Sequence, residues 1–375
     1  MISAFFEFEN GRIKKIYANS KYPCNQSGNV FFDSKLVPNL SFADEMPKKL
    51  ECLHAVVAFR PSHIFVSRDV LGGKPIYYSS EGLSSFKSLL EDPKKVLPGE
   101  ILKIDYSGQL IERKRFSFEE VFKKEQIDLE EAKERILKCL GNEKVKNACI
   151  AFSGGIDSSL LASIYDLPLI AVTASKKEEE MIISSAKKIS REVEVLKISE
   201  DQVLDSLPKI AEIIEENSFL QLSIAIPLYF AFEFAKKLGF SEIILGQGAD
   251  ELFGGYKRYE MANERELEDL LIRDLAEIGE KNLVRDSKLS YKSEIKLVLP
   301  YLNWEVIKIA ISIPAREKVK KVNGRIVRKF FLREMAKDLL PEEIVWREKK
   351  AIQYSTGIAK ILRRLFSRTT KAHGF

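Results

Sequence analysis

Residues 147–159 read NACIAFSGGIDSS. A short apolar run ends in Ser153-Gly154-Gly155-Ile156-Asp157-Ser158-Ser159, and a helical pattern follows at once. A buried strand that turns directly into a helix is the repeating unit of a parallel sheet, because a crossover must carry the chain back before the next parallel strand begins. The unit recurs. Strand-like stretches 167–174, 193–199 and 242–246 alternate with helical ones, and helical segments fill 258–340. A doubly wound parallel α/β sheet is therefore predicted for this part of the chain. There is no internal repeat and no low-complexity segment.

Residues 1 to about 116 have a different texture. Short apolar or alternating runs (Ala4–Phe8, Asn29–Phe32, Ala55–Arg60, His63–Ser67, Pro75–Tyr78, Glu100–Ile104) are separated by Gly, Pro, Asn and Ser, which predicts a β-rich domain. The change comes near RFSFEEVFKKEQIDLEE, where Asp128 can cap a helix with Glu131 three residues on. A length of 375 residues suits two medium domains. The boundary is predicted near 118–128, giving a first domain of 1–122 and a second of 123–375.

Several classes are disfavoured. No apolar run reaches the roughly 18 residues of a membrane span. The start, MISAFFEFENGRIKK, has no basic segment followed by an apolar core, so a cytoplasmic protein is expected. Four cysteines without a C-x-x-C pair, and three histidines, disfavour a structural zinc or iron–sulfur site. The net charge of +5 equals the five cations of 352–375 (Lys360, Arg363, Arg364, Arg368, Lys371), which has no acid, so the rest is neutral. A broadly basic nucleic-acid binder is not indicated.

The glycine-rich turn has chemical consequences. Glycines let a ligand approach the backbone. The free N–H groups and dipole of a helix start favour an anion, and Ser153, Ser158 and Ser159 add hydroxyls. An acid in a phosphate cradle requires a cation, which makes Asp157 a candidate Mg²⁺ ligand. The turn lacks the lysine of G-x-x-x-x-G-K-[ST]. A second glycine-rich turn lies in IILGQGADELFGGY, Ile243 to Tyr256. Ligands of open α/β sheets bind beyond the carboxyl ends of the strands. The two turns can converge there, with Gly246, Gln247 and Gly248 beside the phosphates and Asp250 sharing one Mg²⁺ with Asp157.

SGG-x-DSS on a buried strand resembles the PP-loop (N-type) ATP pyrophosphatases. GQGADELFGGY resembles the second signature of the asparagine synthetase and β-lactam synthetase branch. Further stretches are similar to that branch: RKFFLRE (Arg328–Glu334), LLPEEI (Leu339–Ile344) with Arg347 and Lys349, SRD (Ser67–Asp69) with Gly72, KPIYY (Lys74–Tyr78), FKSLL (Phe86–Leu90) and LPG (Leu97–Gly99). The likeness covers nearly the whole chain. It implies an ATP- and Mg²⁺-dependent ligase of the kind used in asparagine biosynthesis. A carboxylate attacks the α-phosphorus, pyrophosphate leaves, and an amine displaces AMP from the acyl-adenylate. It assigns catalysis to Lys329, Asp250 and Asp157, and the metal to Asp157 and Asp250. Lys329 would also contact the phosphates.

The same resemblance marks departures. Family glutaminase domains start on a cysteine directly after Met, and here residue 2 is Ile. The first domain is then a degenerate Ntn-like glutaminase domain. Ammonia or another amine is the expected nitrogen source, with a separate ammonia-supplying protein as one expected partner and a homodimer as one expected assembly. Gln247 stands where asparagine synthetases have Glu. In the register that aligns PYLN with P-F-L-D, Lys296, Val298 and Asn303 stand for Glu, Arg and Asp, so the pocket would change by about two charges. Aspartate is the leading carboxylate. The alternatives are a PP-loop ATPase that modifies tRNA and a non-catalytic ATP-binding homologue. Ile358, Ile361, Leu362, Leu365 and Phe366 share a helical face opposite Lys360, Arg363 and Arg364. That helix is expected to dock on its own domain, and RNA binding by the basic tail is the lesser alternative.

Overall fold

The computed structural model describes residues 1–19, 25–348 and 356–364. The chain divides into two compact units. Residues 1–125 with 272–294 form the first, and 126–271 with 295–375 form the second.

In the first unit β1 (Ser3–Glu9), β2 (Arg12–Asn19), β7 (Tyr77–Ser79), β8 (Gly82–Ser84) and β9 (Lys94–Lys95) form a five-stranded sheet of order β2-β1-β8-β7-β9. A six-stranded sheet, β11-β10-β6-β5-β4-β3, is built from β3 (Asn25–Ser27), β4 (Val30–Ser34), β5 (His54–Phe59), β6 (Ile64–Arg68), β10 (Glu100–Ile104) and β11 (Leu110–Arg115). All pairings are antiparallel. The period-2 pattern of β5 explains the layering. Ala55 and Val57 join Ile2, Ala4 and Leu83 in one core, while Val56 and Ala58 join Met46, Leu50 and Phe116 in another.

The helical stretch 272–294 packs into this first unit, although its sequence pattern had placed it in 123–375. Ion pairs and hydrogen bonds account for the attachment. Glu280 pairs with Arg68 at 3.1 Å and with Lys95. Ser287 donates to Gly73 O at 2.9 Å, and Tyr291 donates to Asp33. None of these partners is local, so no periodicity announces them.

The second unit carries the predicted parallel sheet. β12 (Ala148–Ala151), β13 (Leu169–Thr173), β14 (Val193–Lys197), β15 (Glu242–Ile244) and β16 (Lys296–Val298) run in the order β14-β13-β12-β15-β16, every pair parallel. Asp128 caps the helix Leu129–Leu140 by accepting from the N–H groups of Glu130 and Glu131. The 19-residue helix Phe219–Lys237 is long and apolar enough to cross a bilayer, which the expectation of no such run had overlooked. More than half of its apolar window is buried inside the unit, so its apolarity has a core role.

Residues 358–364 are helical. Ile358, Ile361 and Leu362 are buried, whereas Lys360, Arg363 and Arg364 are exposed and Arg364 pairs with Glu200 at 3.0 Å. The described part of the amphipathic tail therefore docks on its own unit. Leu365, Phe366, Arg368, Lys371, Lys349 and Cys24 lie outside the described residues.

Candidate functional site

The strand order sets the location of the site. From β12 the chain moves outward to β13 and β14, then returns to the other side of β12 for β15 and β16. Connections leave in opposite directions from neighbouring strands β12 and β15, and a crevice opens beyond their carboxyl ends. Ser153–Ser159 follow β12, and Gly246–Asp250 follow β15. The two glycine-rich turns therefore meet at this switch point.

The first turn is locked from within. Gly154 has φ +69°, and a Cβ there would stand 2.8 Å from Ser185 Oγ. Ser153 N–H donates to Ser158 Oγ at 3.1 Å, and Ser158 Oγ donates to Gly155 O at 3.2 Å. Gly155 N–H donates to Ser153 Oγ at 3.3 Å. In the helix Ile156–Ile164 the first intrahelical bond is Ser159 N–H to Gly155 O at 3.0 Å, so the preceding N–H groups are not used by the helix. The three serines differ. Ser153 is exposed, while Ser158 and Ser159 are buried. Ser158 thus serves the turn, and Ser159 Oγ has no hydrogen-bond partner among the described residues.

In the second turn Gly246 lets the chain pass close to the first, since a Cβ would lie 3.1 Å from Asp157 Cβ. Gly248 has φ +95°, and a Cβ would stand 2.5 Å from Leu302 Cδ2. Gln247 is half-buried beside it. The short helix Ala249–Phe253 then presents Asp250.

A third segment completes the arrangement. Lys329 is fully buried and precedes the helix Phe330–Ala336 with φ +55° and ψ +35°, a left-handed conformation that costs a non-glycine residue about 1 kcal/mol or more. Its ammonium pairs with Asp157 Oδ1 and lies 2.8 Å from Asp250 Oδ1. Residues 157, 250 and 329, far apart in the chain, thus share one ion-pair cluster of net charge −1. Two carboxylates drawn to one ammonium, and partly exposed on their other side, are a donor set that suits Mg²⁺. That ion usually takes one or two carboxylates and completes its shell with phosphate oxygens and water. Among the described residues no group of three or more His, Cys, Asp or Glu could form a closed metal cage.

Neutral aromatics back the cluster. Tyr301 is buried and donates to Asp157 O at 3.1 Å. Burial, then the Asp157 and Asp250 charges, holds its phenol well above the usual range. Tyr256 donates to Glu251 Oε1 at 2.6 Å, and burial with Glu251 and Asp250 pushes its phenol far up. Both remain neutral donors at any physiological pH.

Other groups in the site carry no phosphate-binding signature in sequence. Gly255 is one: a Cβ would fall 1.7 Å from Asp250 Oδ1 and 2.5 Å from Lys329 Cε. Arg347, noted only as part of a matching segment, donates to Gly154 O at 2.9 Å and to Ser185 Oγ at 2.6 Å, holding the first turn from outside. The doubled glycine of FGGY was the sole hint of the first.

Lys296 is not in the crevice. It is the first residue of β16, in register with Glu242, the first residue of β15, and its ammonium pairs with Glu242 Oε1 at 2.7 Å. The site lies at the opposite, carboxyl ends of these strands. Asn303 is a helix cap, accepting from Glu305 N–H at 3.0 Å. Lys296 therefore contributes no charge to the crevice, and the replacement of Glu by Gln247 there amounts to one unit. Lys296→Ala is expected to leave turnover within about twofold and to cost about 1–2 kcal/mol, because Lys296 is half-exposed but its partner Glu242 is buried. A larger loss of turnover at unchanged thermal stability would return Lys296 to the site.

A sequence profile of the asparagine synthase family matches residues 143–268 and 260–373, which is more than half of the chain and includes every residue of the cluster. The chain belongs to the asparagine synthase family. This family of ATP-using amide ligases accounts for paired glycine-rich turns at one switch point. A putative glutamine-hydrolysing asparagine synthetase of Methanocaldococcus jannaschii is 29% identical over 92% of this chain and 75% of its own length. The glutamine-hydrolysing asparagine synthetase of Gallus gallus is 25% identical over 81% of this chain and 63% of its own. That of Lotus japonicus is 26% identical over 56% of this chain and 39% of its own. The chain thus spans less than two thirds of the chicken and plant relatives.

Proposed function

We propose that the second unit binds Mg·ATP at the switch point, activates a carboxylate as an acyl-adenylate, and passes the acyl group to ammonia or another amine. The observation that carries this reading is the joint approach of Asp157, Asp250 and Lys329 beside the Ser153–Gly155 turn. Mg²⁺, when bound, would neutralise phosphate charge between Asp157 and Asp250. The chain's own groups do the rest. The N–H groups at the start of helix Ile156–Ile164 bind phosphate oxygens, with Gly154 and Gly155 allowing close approach and the Ser153 hydroxyl adding a donor. Lys329 stabilises the charge that develops on the leaving pyrophosphate. Gln247, at the mouth of the second turn, faces the substrates. With Lys296 outside the crevice, aspartate remains the leading carboxylate.

The first unit is proposed not to hydrolyse glutamine. Ile2 is buried at 1% exposure in the first unit's core, so its side chain packs rather than attacks. Burial pushes the Cys52 thiol up to about 11, which leaves little thiolate. Free ammonium, or ammonia from a separate protein, then supplies nitrogen.

The test is pyrophosphate release from Mg·ATP with a panel of carboxylates, with ammonium and glutamine as separate nitrogen donors. Release with aspartate and ammonium, but not glutamine, is expected. Release with glutamine alone would refute the account of the first unit. ATP binding without turnover on any acid would favour the non-catalytic reading, which Gln247 supports.

A further inference from the structure

Arg333 lies in the helix Phe330–Ala336, is 4% exposed, and its side-chain hydrogen bonds go to Arg328, Val345 and Arg347 rather than to either glycine-rich turn. All three hydrogen bonds of its guanidinium go to carbonyls. Nε donates to Arg328 O at 2.8 Å, Nη1 to Val345 O, and Nη2 to Arg347 O at 3.1 Å. Among the described residues no carboxylate lies within ion-pair distance; burial disfavours the charge, and the more distant Asp157 only partly offsets this. A buried cation bonded only to carbonyls is costly as pure scaffolding, since an apolar side chain would fill the same volume without desolvating a charge.

What those carbonyls belong to gives the residue its meaning. Arg328 immediately precedes Lys329, whose left-handed conformation must be held by its surroundings. Arg347 grips Gly154 O and Ser185 Oγ with its own side chain. One rigid guanidinium fork therefore clamps the backbone of two turns. One aims the ammonium at Asp157 and Asp250, and the other braces the Ser153–Gly155 turn. The planar fork of arginine suits this, and lysine offers only a point charge.

We propose that Arg333 is a positioning residue that sets Lys329 and the first glycine-rich turn in one register, so that leaving-group stabilisation and nucleotide binding depend on a single buried side chain. This rests on the Mg·ATP ligase reading above.

The test uses the full chain and the variants R333M, R333K, K329M and R347M. The readouts are pyrophosphate release, separated into kcat and KM for ATP, titration with Mg²⁺ and α,β-methylene-ATP, and thermal melts. R333M is expected to lower kcat by about 30–100-fold, the scale of misplacing a group by an ångström, and to weaken analogue binding by about tenfold. R333K should recover little of either. K329M should lower kcat at least as much, and R347M should reproduce the loss in affinity. In the K329M background R333M should no longer lower kcat but should still weaken binding. A lowered melting temperature with kcat and affinity unchanged would reduce Arg333 to a structural role, as would losses that simply multiply with those of K329M. If R333M does not fold, R333K carries the same comparison. Failure of the ligase reading shows in the wild type: no pyrophosphate release with any acid. The positioning role is then decided by analogue binding alone, and a wild type that binds no nucleotide overturns both.

Discussion

Lys329→Met is expected to reduce pyrophosphate release by about 10²–10³-fold, the cost of deleting one preorganised charge-stabilising donor. The side chain is 1% exposed and is the shared counter-ion of Asp157 and Asp250, which keep 18% and 22% exposure. Without it the two carboxylates face each other across the crevice. Because both are partly solvated, the loss of stability should be about 1–2 kcal/mol rather than the larger cost of a fully buried orphan charge. Mg²⁺ can replace the missing cation, so the ion should raise the melting temperature of the variant more than that of the wild type. Melts at several Mg²⁺ concentrations, alongside the release assay, check both halves. An active variant would remove Lys329 from the mechanism. A variant indifferent to Mg²⁺ would show that Asp157 and Asp250 do not form a cation site.

Gly255→Ala should be nearly as damaging, although it changes no charge. The added Cβ would lie 1.7 Å from Asp250 Oδ1 and 2.5 Å from Lys329 Cε. Contacts that short force one side chain away. Lys329 cannot easily yield, since its backbone is held left-handed and its side chain is buried. Asp250 sits on a short helix capped at both ends by positive-φ glycines, Gly248 and Gly254. An overpacked site costs about 1–3 kcal/mol. A misplaced Asp250–Lys329 pair should cost about 10²-fold in release. Gly255 does not itself have a positive φ, so the effect is steric at the site rather than backbone strain. Normal turnover by a folded G255A would mean that the ion-pair cluster is not the working geometry.

The local features of this protein are written in local sequence. Strand-turn-helix units appear as apolar runs ending in glycine, and β12, β13, β14 and β15 fall within the predicted stretches. Asp128 announces its cap, and short apolar runs announce β5 and β6. The chemistry of the glycine-rich turns was legible too, because free N–H groups, small residues and acids must be adjacent in the chain to act together at a turn. Tertiary packing decided the rest. It put β12 beside β15 and so brought Asp157, Asp250 and Lys329 to one point. It assigned 272–294 to the first unit through contacts such as Glu280 with Arg68. It also moved Lys296 to the amino end of its strand, where an alignment of letters had put a pocket charge. Hydrophobic periodicity specifies which face of an element is buried, but not which neighbour buries it. That choice belongs to side chains distant in sequence that must fill one volume and satisfy one another's charges.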